Sequence, residues 1–180
     1  MATFVSCSAD NKSETIAKAD SKKVADNQVR AETDSPEIAS NFVAYDTDGN
    51  LRDLNEWIGK KPVLINFWGT WCGPCRREIP ELVKIYEEYG PKGVEIISLA
   101  VKDQPATVVS FTGQKNMNWV HLMATQDHLK EYGVSGVPTT FFYDKDGNLA
   151  KVRDHNGQFT DRFVGPRSYE IFKAAVESLL

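Results

Sequence analysis

Apolar residues in this chain fall into short unbroken runs and helical stripes separated by polar turns, and the sharpest change of pattern lies between Val63 and Pro80. Val63-Leu64-Ile65-Asn66-Phe67-Trp68 is a run of strand formers with one polar interruption, and it stops at a Gly69-Thr70 corner. A run of this kind reads as a strand buried on both faces. From about Pro74 to Tyr89 the period changes. Ile79, Leu82, Val83, Ile85 and Tyr86 recur at helical spacing, which predicts a helix closed by Gly90-Pro91, with Pro80 expected to kink it.

The same reading continues in both directions. Phe42 to Tyr45 and Leu51 to Leu54 flank the turn Asp46-Thr47-Asp48-Gly49-Asn50 and predict a hairpin. Val94 to Val101 is a second buried strand, reached by a crossover and therefore parallel to the first. Pro105 opens a helix to about Asn116, Trp119 to Ala124 is a short strand, and Asp127 to Tyr132 is a brief helix closed by Gly133. Thr139 to Tyr143 and Leu149 to Arg153, on either side of Asp144-Lys145-Asp146-Gly147-Asn148, read as an antiparallel hairpin, and Tyr169 to Leu180 as an amphipathic closing helix. The two acidic loops read as turns rather than calcium loops, since neither has the alternating ligands and closing Glu of such a site. The class is α/β: a central mixed sheet with helices on both faces.

Chemistry concentrates where the first strand meets the first helix. Cys72-Gly73-Pro74-Cys75 sits at the predicted helix start, where first-turn amides and the helix dipole favour an anion. A thiolate is the anion available, so Cys72 reads as the low-pKa nucleophile. Cys75, one turn further in, reads as the shielded thiol that resolves a mixed disulfide on Cys72. The competing reading is half a zinc site. A closed site needs four ligands, and the chain offers only distant Cys7 and the scattered His121, His128 and His155, so no metal and no cofactor is expected.

Trp71-Cys72-Gly73-Pro74-Cys75 after an apolar strand, Pro80 beyond it and Gly136-Val137-Pro138-Thr139-Thr140 downstream resemble the thioredoxin superfamily. Asn66-Phe67-Trp68-Gly69-Thr70-Trp71 and Glu78-Ile79-Pro80 resemble its TlpA/ResA branch of membrane-tethered or periplasmic thiol-disulfide oxidoreductases, over roughly 41–180. The resemblance implies a thioredoxin-like fold, with the block from Pro105 to Ala124 as the branch's central insertion. It implies a cis Val137-Pro138 bond beside the dithiol, where a substrate strand adds by its backbone, with Trp71 in the same substrate-binding group. Pro74, Asn66 and Pro80 would be structural supports. In the ResA group a glutamate at the position of Glu78 is functional; its bland alternative is a solvated first-turn carboxylate. A carboxylate there would raise thiol pKa values and could move a proton to or from Cys75. Two departures stand out: Asn66 replaces thioredoxin's buried aspartate, and Gly73-Pro74 is thioredoxin's dipeptide, where ResA has Glu-Pro. The latter points to the reducing end of a range from about -270 to about -120 mV.

The expected activity is therefore reduction of protein disulfides in the bacterial cell envelope. The family suggests oxidised apocytochrome c as substrate and a membrane thiol-disulfide electron donor as partner. A disulfide-forming oxidant with the same residues, and a peptide-binding or chaperone module with dispensable cysteines, are the alternatives. Thiol peroxidase sites resemble Pro-x-x-x-Thr-x-x-Cys, which Trp71-Cys72 does not.

Composition narrows the setting. The 180 residues are 41% hydrophobic with a net charge of -4, which gives no nucleic-acid footprint. No apolar run is long enough to span a bilayer. A single domain from 41 to 180, acting as a monomer, is expected. Residues 1–40 are rich in Lys, Asp, Ser, Ala and Glu and read as a flexible tether. Within them Phe4-Val5-Ser6-Cys7-Ser8 resembles a lipobox, which would tether the protein through a lipidated Cys7. With only six residues before Cys7, either the true start lies upstream or Cys7 is incidental.

Overall fold

The computed structural model describes residues 42–180; the tether and the lipobox at Cys7 lie outside the described residues. The strands are β1 (Val43–Tyr45), β2 (Leu51–Asp53), β3 (Val63–Trp68), β4 (Glu95–Val101), β5 (Val120–Ala124), β6 (Thr139–Tyr143), β7 (Val152–Arg153), β8 (Phe159–Thr160) and β9 (Arg162–Val164). The helices are α1 (Gly73–Tyr89), α2 (Pro105–Gln114), α3 (Gln126–Glu131) and α4 (Tyr169–Glu177). The expected hairpin of β1 and β2 forms, antiparallel with Tyr45 opposite Leu51.

The central sheet has the order β5-β4-β3-β6-β9. β3 lies in its middle, parallel to β4 and antiparallel to β6, which makes the sheet mixed. Alternate residues of β3 serve opposite cores. Leu64 and Trp68 join Ile79, Leu82 and Ile85 of α1 and Phe172 and Val176 of α4 on one face. Val63, Ile65 and Phe67 join Phe42, Leu54 and Tyr132 on the other, with Leu129 of α3 packed against that cluster. Burial on both faces is why β3 and β4 read as continuous apolar runs rather than alternating ones.

The segment after β6 departs from the expected hairpin. Leu149 makes one antiparallel bridge with Tyr143, and Ala150 N–H donates to Phe142 O at 2.8 Å. The chain then leaves the sheet, and β7 pairs with β8 instead. The rest of that edge of β6, from Thr139 to Phe141, is taken by β9. A five-residue strand already paired with β3 has one free edge, and two short segments share it. β8 and β9 were not legible beforehand because Phe159-Thr160-Asp161-Arg162-Phe163-Val164 is neither alternating nor apolar enough to signal strands.

The acidic loops are turns. Asp46 Oδ1 accepts from Asp48 N–H at 3.0 Å and Asn50 N–H at 2.8 Å, and Asp144 Oδ1 repeats the pattern with Asp146 and Asn148. A third copy joins β7 to β8, with Asp154 Oδ1 bound by Asn156 and Gln158 amides. In each, the first Asp oxygen is spent on backbone donors. α1 runs on through Pro80, which is exposed.

Candidate active site at the Cys72–Cys75 pair

β3 ends in a tight turn in which Cys72 N–H donates to Gly69 O at 3.1 Å. Gly69 is needed there for space: a Cβ would lie 2.6 Å from Trp71 Nε1 and 2.8 Å from Cε2. The indole fills that notch and donates from Nε1 to Val101 O at 2.9 Å, yet Trp71 stays 57% exposed. Gly69→Ala is expected to push the indole out of its notch, seen as a shift in tryptophan fluorescence and a loss of the Val101 hydrogen bond by NMR.

The turn delivers Cys72 to the N-cap of α1, with Pro74 in the first helical turn. Cys72 and Cys75 form a disulfide, and Cys75 N–H points at Cys72 Sγ at 3.1 Å. In the dithiol state the same amide and the helix dipole would favour a Cys72 thiolate. Cys75 is buried as expected, but in the disulfide state Cys72 is nearly as enclosed, so the expected contrast in exposure is slight. Val137 O lies 3.6 Å from Cys72 Sγ, and the Val137-Pro138 bond is cis. Pro138 is buried and its carbonyl accepts from Gly165 N–H at 2.8 Å.

Glu78 is not the solvated first-turn carboxylate of its bland reading. It is 2% exposed, and its oxygens accept from Asn66 Nδ2 at 3.1 Å and from Arg167 N–H at 3.0 Å. Burial pushes its carboxyl up to about 8 in spite of these donors. Asn66 also donates to Thr140 Oγ1 at 2.9 Å, so one amide ties α1 to β6 across β3. The titratable group in this core is thus carried by the helix, while the strand supplies a hydrogen-bond donor.

The histidines take other roles. His128 caps α3 by accepting from Thr125 N–H at 3.0 Å, and His121 Nε2 lies 2.8 Å from Met117 O. Among the described residues no group of His, Cys, Asp or Glu is placed to hold a metal ion. Two site residues escaped sequence reasoning. Asp103 binds the turn before Cys72 through Thr70, and Arg167 reaches Glu78 through its backbone, which leaves no trace in residue type. A groove of about 590 Å³, lined by Trp71, Lys102, Leu129, Val134 and Val137 among others, opens beside the pair.

The AhpC/TSA family model matches residues 36–152, well over half of the sequence. The chain belongs to that family. Thiol-disulfide oxidoreductase ResA of Bacillus thuringiensis subsp. konkukian is 40% identical over 116 residues, 64% of this chain and 65% of the relative, so the match spans just under two thirds of that protein. The thiol:disulfide interchange protein of Chlorobium tepidum TLS, a thioredoxin family protein, superposes with a TM-score of 0.66 at 27% identity, covering 81% of this chain and 97% of that one. A secreted Mycobacterium tuberculosis disulfide oxidoreductase homologous to E. coli DsbE has a TM-score of 0.63 at 24% identity, covering 77% and 96%, and supports the fold alone. The thioredoxin-like fold implied by the motifs is the one observed.

Proposed function

We propose that this AhpC/TSA family chain is an extracytoplasmic thiol-disulfide oxidoreductase of the ResA type, working mainly as a reductant of protein disulfides. The observation that carries this is the disulfide at the start of α1, with Cys72 Sγ facing both the Cys75 amide and the Val137 carbonyl. A substrate strand would pair with the Val137 backbone, since the Pro138 carbonyl is taken by Gly165, and Trp71 would flank it.

In the dithiol form the Cys72 thiolate attacks one sulfur of the substrate disulfide. That bond breaks, a Cys72–substrate bond forms, and the departing substrate thiolate takes up a proton. Cys75 gives up its proton and attacks Cys72 Sγ. The substrate leaves with both sulfurs reduced, and the protein is left as the disulfide observed here. Glu78, with its carboxyl near 8 and three residues beyond Cys75 on α1, is the group suited to accept the Cys75 proton. A membrane thiol-disulfide donor would return the electron pair, and oxidised apocytochrome c, with its Cys-x-x-Cys-His haem site, is the proposed substrate. No helix among the described residues is long and apolar enough to cross a membrane.

The test is the equilibrium reduction potential of the Cys72–Cys75 pair in a redox buffer series. A value near or below about -240 mV is expected, and one above about -170 mV would instead make the protein a disulfide-forming oxidant.

A further inference from the structure

The turn that carries Trp71 and Cys72 is gripped from outside by the loop that follows β4. Thr70 N–H donates to Asp103 Oδ2 at 2.7 Å, and Thr70 Oγ1 donates to Asp103 Oδ1 at 2.6 Å, so one carboxylate takes both donors of one residue. Two residues before Asp103, Val101 O accepts from Trp71 Nε1. The corner is thus held at Thr70 and at Trp71 by the same three-residue stretch, Val101 to Asp103. Between those two grips the backbone turns through Lys102 at φ 52°, a left-handed conformation that side chains other than glycine rarely adopt. Such a conformation persists where its surroundings over-determine it, and here it is bracketed by the Val101 and Asp103 contacts.

We propose that Asp103 is a positioning residue for the dithiol. Through Thr70 it fixes the turn whose Cys72 N–H to Gly69 O bond sets where the Cys72 sulfur meets the Cys75 amide. The loop gives α2 its Gln104 N-cap and so is anchored at its far end by a helix. A two-point clasp restricts the turn more than either hydrogen bond alone. Released, the corner would carry Cys72 Sγ away from the amide and from Val137 O, and small misplacements of a reacting atom are costly in rate.

The proposal rests on Cys72 being the attacking sulfur. The experiment compares Asp103→Ala, Asp103→Asn and Thr70→Val with the parent protein for insulin disulfide reduction (kcat and KM), reduction potential and the pH dependence of Cys72 alkylation. Asp103→Ala is expected to lose kcat on the order of tenfold or more, with KM less affected, and to move both the potential and the alkylation profile. Asn can accept from Thr70 N–H and donate to its hydroxyl, so Asp103→Asn is expected to restore most of the loss. Thr70→Val, which removes one arm, is expected to fall between and serves as the test should the alanine variant not fold. Wild-type kcat, potential and alkylation in Asp103→Ala and Thr70→Val would overturn the proposal. An Asp103→Asn variant as impaired as Asp103→Ala would also overturn it, because the carboxylate would then act by charge and not by its clasp. Cys72→Ser measured alongside keeps the two readings apart: if that variant is active, the attacking sulfur is misassigned whatever Asp103 does.

Discussion

Cys72→Ser is expected to abolish insulin disulfide reduction, and Cys75→Ser to accumulate a mixed disulfide with substrate that gel electrophoresis without reductant detects. The two variants differ because the sulfurs sit differently in α1. Cys72 is the N-cap, the last residue before the helix, and its sulfur faces the Cys75 amide. Cys75 lies inside the first turn, packed among Ile79 and Leu82. Without Cys72 there is no sulfur at the cap to attack. Without Cys75 the first exchange still runs, but no neighbouring thiol can break the bond it makes. Both single variants lose the disulfide and, with it, part of their stability, so each is compared as a reduced protein by its melting temperature. Disulfide reduction retained in Cys72→Ser would mean that the attacking sulfur is misassigned, whereas biological activity retained after both cysteines are changed to serine would point to a peptide-binding or chaperone module.

The parts of the fold that were legible in sequence are those where burial imposes a period. β3 and β4 are buried throughout, so their sequences are apolar at most positions on both faces, with only Asn66 in β3 and Glu95 and Ser98 in β4 polar. α1 buries Ile79, Leu82 and Ile85 on one side, which leaves a helical stripe. Turn chemistry was equally legible, since the Asp-Gly loops have steric reasons for their composition. The segment from Leu149 to Val164 was not. Its strands are two or three residues long, Phe159 and Val164 are exposed, and pairing there is decided by which edge of β6 remains free. That is a tertiary competition, and no local pattern encodes it.

At the site the division is similar. The cysteine pair stands out because a strand, a corner and a helix start meet there, and Val137-Pro138 was placed beside it only through family resemblance. Glu78 shows the limit of position alone. A glutamate near a helix start is ordinarily solvated and favoured by the dipole, whereas this one is enclosed by Asn66 of β3 and the backbone before α4. Arg167 is 89 residues away in sequence and contributes a peptide N–H that any residue but proline could supply. Asp103 could have been suspected only as an acidic residue just past a buried strand end, which is a weak signal.

Glu78→Gln is expected to slow the resolving step by about a hundredfold near neutral pH and to remove an inflection near pH 8 from its rate profile, within the range of positioned acid–base groups. An unmatched base would do less. A thiol's ordinary value is about 8.5, so a carboxyl near 8 is well matched to take its proton. The same residue predicts a stability effect of definite sign. Its folded value of about 8 lies above the ordinary 4.5, so between those pH values the folded protein holds a proton that the unfolded chain has released. Stability from this group is therefore full below about pH 4.5 and is lost as pH rises through 8, by a few kcal/mol at most. Urea unfolding of the oxidised protein at pH 5 and pH 9 should show that loss, and Glu78→Gln should flatten it. Glutamine keeps an oxygen for Asn66 or Arg167 but cannot ionise, so the variant separates the charge from the packing. A flattened stability slope with an unchanged exchange profile would make Glu78 a buried acid that destabilises the core at high pH without serving the chemistry. An altered profile with the expected slope would tie the destabilisation of α1 to the proton transfer that Cys75 requires.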